Sequence, residues 1–191
     1  ISYAMTSFFT TGGIRGGKKK LDQFYPRSFN MGIRRDVFIK LDGFDTSMRY
    51  GEDIDFSTRI IQAGYVTRLF PNAYVYHKRR TRLKQFFRQV EHSGEARIVL
   101  SQKYPSTLKL VHCLPAVFVV GVIGLCLLGI FFPWLYSLLL LYVLLLFVDA
   151  TCAYRGNIGI GILAVAASFT QLFGYGTGFI RAWWRWKMKK K

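Results

Sequence analysis

Acidic residues are scarce in this sequence, and the resulting charge balance limits its partners. The 191 residues include 10 acids against 27 lysines and arginines, so the formal net charge is +17. A basic chain with interleaved aromatic residues could bind either of two anionic partners, nucleic acid or lipid headgroups. The long apolar runs described below make lipid the simpler partner, and we expect no nucleic-acid binding.

Cysteine is also rare, and its placement argues against two kinds of site. Cys113, Cys126 and Cys152 lie in or beside apolar runs, with no Cys-x-x-Cys pair and no histidine ladder nearby. This pattern favours neither a zinc site nor a disulfide framework. We interpret the three side chains as apolar filling.

Charge is missing altogether from two stretches near the C-terminus. Residues 110–148 and 156–180 contain no Asp, Glu, Lys or Arg over 39 and 25 residues. Both exceed the roughly 20 apolar residues that cross a bilayer. A single helix of the first length would reach about 58 Å, so we predict two helices with a break at Pro133. The expected membrane region is residues 105–191, with segments 110–131, 134–148 and 157–180.

The basic residues around these runs predict which segment faces the cytoplasm, but those before and after the runs are not consistent with three crossings. Those before the first run place the preceding segment in the cytoplasm by the positive-inside rule. Three crossings would put the basic tail outside, against that rule; the tail comprises Arg181, Arg185, Lys187, Lys189, Lys190 and Lys191. We therefore favour two crossings, with the glycine-rich segment 156–180 re-entrant or interfacial; the open alternative is that the rule is overridden.

The few acids are concentrated in one place. Six of the ten fall within twenty residues, namely Asp36, Asp42, Asp45, Glu52, Asp53 and Asp55. Clustered carboxylates repel one another, so we expect a cation, a base role or an arginine partner there. Residues 51–64 have the pattern of a helix in which Asp55 and Arg59 can pair. Residues 66–70 and 73–76 have the pattern of short strands, and residues 77–97 that of a basic amphipathic helix.

Four motifs in a fixed order carry a family resemblance. They are Asn30-Met31-Gly32-Ile33-Arg34-Arg35, Leu41-Asp42-Gly43-Phe44-Asp45, Gly51-Glu52-Asp53-Ile54-Asp55 and Pro71-Asn72-Ala73-Tyr74-Val75-Tyr76-His77. Together they resemble the C-terminal half of a family 2 glycosyltransferase catalytic domain over about residues 30–97. The resemblance implies an α/β, GT-A-type, Rossmann-like fold for residues 1–104, with the nucleotide-binding half upstream. We therefore expect residues 1–191 alone not to catalyse transfer.

The same resemblance assigns roles to individual residues. Asp53 matches the catalytic base of an inverting displacement, and Glu52 would orient the site or hydrogen-bond the acceptor. Gln85 and Arg88 resemble the QxxRW motif, in which the arginine binds the donor diphosphate. Gln89 replaces its tryptophan, which argues for transfer of a single sugar. Asn30 would bind substrate, and His77 would be a ligand of Mn²⁺ or Mg²⁺.

Alternatives to the catalytic interpretation stay open at this point. The letters Asp53-Ile54-Asp55 also spell an Asp-x-Asp metal motif, but that motif normally ends an apolar strand, and here a helix pattern follows. The acids could merely favour a helix N-terminus. A third possibility is a non-catalytic membrane scaffold with a degenerate transferase domain. Our preferred interpretation is a membrane-bound, multi-pass transferase that uses a nucleotide sugar and a lipid-linked or polyprenyl-phosphate acceptor.

The predicted role of His77 leads to a test on the intact enzyme. A neutral imidazole suits Mn²⁺ better than Mg²⁺, so His77→Ala should raise the Mn²⁺ concentration that gives half-maximal activity. The apparent affinity for the acceptor should change less. An unchanged metal requirement would assign His77 a structural role.

Overall fold

Helices are the regular secondary structure found in the part of the chain that the structure describes. A computed structural model describes residues 1–11, 25–70, 72–76 and 78–189. Its helices are, in chain order, α1 (Ser2–Thr6), α2 (Phe8–Thr11), α3 (Arg35–Lys40), α4 (Glu52–Gln62), α5 (Leu83–Lys103), α6 (Leu114–Leu128), α7 (Tyr136–Ala153) and α8 (Ile158–Lys189). Short 3₁₀ turns lie at Ser28–Asn30, Pro105–Thr107, Leu110–His112 and Pro133–Leu135. The chain divides into a small unit, Lys18–Lys78, and a helical unit, Ile1–Gly17 with Arg79–Lys191.

The expected α/β, Rossmann-like fold is wrong, because no described residue lies in a β-strand. The predicted strands 66–70 and 73–76 carry no regular structure. The one backbone hydrogen bond recorded between the described residues of these segments joins Ala73 N–H to the Phe70 carbonyl at 3.0 Å, which is a turn contact. Strand propensity expresses the fit of a side chain to a paired, half-buried surface. Here Val66 and Tyr76 are exposed, so the pattern lacks the pairing that would turn it into a sheet.

Three aromatic rings form the core of the small unit. Phe38 on α3, Phe44 in the following loop and Phe56 on α4 meet edge to face, with ring centroids 5.1 to 5.7 Å apart. Gly43 sits in the turn after α3 with φ 58°, and a Cβ there would come within 2.7 Å of the Phe38 ring. Only glycine fits this turn without strain, so its conformation helps to pack α3 against α4.

Helix α8 is the central element of the helical unit, and α5, α6 and α7 all pack against it. Glycines allow the backbones of α5 and α8 to approach closely. A Cβ at Gly174 would meet the Phe87 carbonyl, and one at Gly178 would collide with the carbonyl of Glu91. Small residues at such contacts are typical of helix packing in membranes, where close approach increases van der Waals attraction.

The 39-residue apolar run is divided into two helices, as its length predicts. α6 ends at Leu128, the Pro133–Leu135 turn intervenes, and α7 begins at Tyr136. Two helices of the described residues are long and apolar enough to cross a membrane: Pro133–Ala153, which includes this turn, and Ile158–Lys189. α6 is shorter, at 15 residues. These helices support membrane association.

The glycine contact between α5 and α8 predicts that two matched Gly→Ala substitutions will change the unfolding temperature differently. Gly178→Ala should lower the unfolding temperature of the detergent-purified protein by about 5 °C, because overpacking costs roughly 1–3 kcal/mol. Gly124→Ala in α6 is the control, since a Cβ there meets nothing within 4 Å. It should leave the temperature unchanged or raise it, because alanine favours helix. The measurement is thermal unfolding followed by tryptophan fluorescence. Equal midpoints for the two variants would contradict the close approach.

Candidate functional site

The acidic motif forms the first turn of α4. Gly51 precedes the helix in a left-handed conformation, with φ 83°. Glu52, Asp53 and Asp55 follow in the first turn, where carboxylates interact favourably with the helix dipole. The helix predicted for residues 51–64 is therefore confirmed, with bounds Glu52–Gln62.

Asp55 is fully buried and pairs with Arg59, as their spacing predicts. Its Oδ2 lies 2.9 Å from both Nε and Nη2 of Arg59. The same guanidinium donates to the carbonyl oxygens of Leu41 and Gly43 and lies over the Phe56 ring, 5.1 Å from its centroid. These contacts hold the loop after α3 against α4, so Asp55 has a structural role.

Asp53 has a different environment, although it is only two residues away. Its Oδ1 accepts a hydrogen bond from Ile54 N–H at 2.8 Å and lies 3.5 Å from Nη1 of Arg27. Oδ2 accepts no hydrogen bond from any described residue. The side chain is 15% exposed. The carboxylate is thus held through Oδ1, and the side chain as a whole is partly accessible to solvent.

The geometry argues against a metal role for Asp53-Ile54-Asp55. Residues two apart on a helix point in different directions, so these carboxylates do not converge. Each is also next to a cation, Arg27 for Asp53 and Arg59 for Asp55. An arginine partner was one of the three expected explanations for the acidic cluster.

Two further acids of the cluster have local partners. Both guanidinium bonds of Arg34 go to Asp36, and they hold the pKa of this exposed carboxyl below its usual range. Asp45 accepts hydrogen bonds from the backbone N–H and hydroxyl of Ser47. Four of the six acids, Asp36, Asp45, Asp53 and Asp55, therefore have a local partner that accounts for their charge or position.

The remaining predicted site residues lie in both units. Asn30, in the small unit, donates its side-chain amide to the Ala73 carbonyl at 3.2 Å. Gln85 and Arg88 are exposed, three residues apart on α5. Arg88 lines an open hollow between α5 and α8, whose walls comprise Leu83, Lys84, Phe87, Arg88, Glu91 and Thr170. His77 lies outside the described residues.

Comparison with known proteins decides the family. Residues 28–150 match the model of the glycosyl transferase family group 2, which covers all four motifs and continues into α7. The chain belongs to this family. The resemblance seen in the sequence is confirmed, and membership supports a transferase that moves glycosyl groups and takes a nucleotide-sugar donor. Neither the curated proteins nor the solved structures gave a significant match.

Family 2 glycosyltransferases generally depend on a metal, and the described residues of this chain do not supply a site for one. They contain no group of three or more His, Cys, Asp or Glu side chains that could hold an ion. Asp53 and Asp55 do not fit the role, because both are beside arginines and diverge. We therefore derive no step through a metal from these residues.

Two cationic residues of this glycosyltransferase were missed at the level of sequence. Arg27 contacts Asp53 although the two are 26 residues apart in the sequence, and no local sequence pattern predicts such a contact. Lys84 lies four residues before Arg88 and lines the same hollow, so helical periodicity could have indicated it. They add one cation beside the candidate base and one beside the candidate diphosphate ligand.

Proposed function

We propose that this chain supplies the base and the membrane anchor of an inverting glycosyltransferase. The enzyme would move a single sugar from a nucleotide sugar to a lipid-linked acceptor, such as a polyprenyl phosphate. The observation that carries the proposal is the carboxylate of Asp53. Its Oδ1 is held by Ile54 N–H and Arg27, whereas its Oδ2 accepts no hydrogen bond from the described residues. In this proposal residues 1–104 belong to the catalytic domain and residues 105–191 to the membrane region.

In the proposed reaction Asp53 accepts a proton from the acceptor while the new glycosidic bond forms. The attacking O–H group is the P–OH of a polyprenyl phosphate monoanion or a sugar hydroxyl of a lipid-linked oligosaccharide. Its oxygen attacks the anomeric carbon and its proton passes to Asp53 as the new C–O bond forms. The bond between the anomeric carbon and the diphosphate oxygen breaks on the opposite face, and the leaving nucleoside diphosphate takes the electron pair. Glu52, which precedes Asp53 in the same helical turn, would orient the acceptor.

The departing diphosphate requires positive charge, which α5 carries. Arg88 and Lys84 share one hollow, and Gln85 lies one turn from Arg88. Preorganised cations that face a developing anion lower the barrier of group transfer. Asn30 is proposed to contribute to substrate binding from the small unit. The metal role of His77, with Mn²⁺ or Mg²⁺, stays a proposal based on the motif.

The membrane location of the proposed enzyme rests on its apolar helices and its charge. Nucleotide sugars are made in the cytoplasm, so we place the catalytic segment on that face of a multi-pass cell-membrane protein. Anchoring at a bilayer would also give ready access to a lipid-linked acceptor. The second candidate function is a non-catalytic membrane scaffold with a degenerate transferase domain.

The proposed base can be tested in the intact enzyme with a matched control. Asp53→Asn keeps the shape of the side chain but cannot take up the proton, so turnover should fall at least about a hundredfold. Donor binding should be retained. Asp36→Asn is the control, because that exposed carboxylate pairs with Arg34 and has no proposed role. Activity would be measured with a panel of nucleotide sugars and a polyprenyl-phosphate acceptor.

Near-normal turnover of Asp53→Asn would remove Asp53 from the mechanism. Lack of any transfer by the unmutated enzyme across the whole panel, with correctly folded protein, would instead favour the scaffold.

A further inference from the structure

The three apolar helices of the helical unit differ in length, and the difference bears on how they meet a bilayer. α6 has 15 residues, which corresponds to about 22 Å, whereas a hydrocarbon core is roughly 30 Å thick. The span Pro133–Ala153 has 21 residues and α8 has 32, which give about 31 Å and 48 Å. Length therefore favours α7 and α8 as the crossing helices.

Helices α7 and α8 run side by side in opposite directions. The rings of Tyr142 and Phe169 lie 6.0 Å apart, and Leu146 shares a buried cluster with Ala164. Further along α7, Thr151 lies against Gly161. Residue numbers rise along α7 while those of its partners fall along α8, so the two helices are antiparallel. If α7 crosses the bilayer, the first half of α8, which packs along it, must cross the bilayer too.

From Ala167 onwards α8 runs parallel to α5, a helix that carries charges and begins level with the middle of α8. Glu91 pairs with Arg181 at 2.8 Å, and Glu95 pairs with Arg185 at 2.6 Å. Charged side chains are costly in hydrocarbon, so this paired end belongs to a polar region. Trp183 and Trp184 are partly or largely exposed beside these arginines, as is typical of a membrane–water interface.

We propose that α7 and α8 form a two-crossing hairpin in a lipid bilayer and that α6 does not cross. The first turn of α6 reaches the middle of α7, where Phe118 packs against Tyr142, and its end returns to the start of α7. The loop at residues 154–157 then lies on the membrane face opposite to the end of α5, and the end of α8 lies on the same face as the end of α5. Exposed apolar side chains of α7, such as Leu138, Leu140 and Leu141, would contact acyl chains. This proposal does not rest on the proposed glycosyl transfer.

The arrangement removes the conflict that three crossings raise with the positive-inside rule. The tail cations return to the side of α5, and Arg155 is the one Lys or Arg in the loop 154–157. It also changes the interpretation drawn from sequence, in which segment 156–180 was the element that does not cross. The contacts of α8 with α7 make α6 that element instead.

Cysteine accessibility tests the arrangement in sealed vesicles that contain the intact protein. Cys113, Cys126 and Cys152 are first replaced by alanine. Single cysteines are then introduced by Gln102→Cys at the end of α5, Tyr154→Cys in the loop, and Met188→Cys at the end of α8. All three positions are exposed. A membrane-impermeant maleimide is applied before and after permeabilisation, and Asn157→Cys gives a second loop position if Tyr154→Cys does not accumulate.

The expected result is that the cysteines at 102 and 188 label under the same condition and the loop cysteine under the opposite one. Labelling of all three from one side would mean that α6 and α7 cross and α8 does not. Labelling of the cysteine at 188 from the side opposite to the other two would mean three crossings. Either of these two results would overturn the proposal.

Discussion

The buried ion pair between Asp55 and Arg59 is the interaction on which the small unit depends. Leaving one partner of a buried pair unpaired is strongly destabilising, so the two charges must stay together. Arg59 also donates to the Leu41 and Gly43 carbonyls and covers the Phe56 ring. One guanidinium thus joins the loop after α3, the aromatic core and α4. The position of the first turn of α4, and of Asp53 within it, follows from this pairing.

Two carboxylates that look equivalent in the sequence consequently have different roles. A helix turns by 100° per residue, so Asp53 and Asp55 face different directions. Asp55 is buried against Arg59, whereas Asp53 keeps one oxygen free of hydrogen bonds from the described residues. The sequence Asp-Ile-Asp suggests a metal motif. On a helix, however, its two carboxylates face different ways, so Asp55 is structural and Asp53 is the candidate catalytic residue. The local geometry therefore leaves Asp53, and not Asp55, as the candidate base that we propose.

Local signals in the sequence predicted local structure well. The acids and glycines around α4 gave its bounds to within two residues, the i,i+4 spacing gave the Asp55–Arg59 pair, and Pro133 divided the apolar run. Features that depend on distant partners were not predictable in this way. The strand patterns at 66–70 and 73–76 required pairing that the described residues do not provide. The contacts of Arg27 with Asp53, and of Gly178 with the Glu91 carbonyl, join residues with no common periodicity.

The division of roles between Asp55 and Asp53 is tested most directly by hydrogen exchange of the small unit in the intact protein. Asp55→Asn should weaken the hold of Arg59, so amides of residues 41–44 and of α4 should exchange about tenfold faster or more, since each 1.4 kcal/mol is a factor of ten. Asp53→Asn, the same chemical change two residues away, should leave these amides close to their original protection. Equal protection in the two variants, or greater loss in Asp53→Asn, would contradict the account.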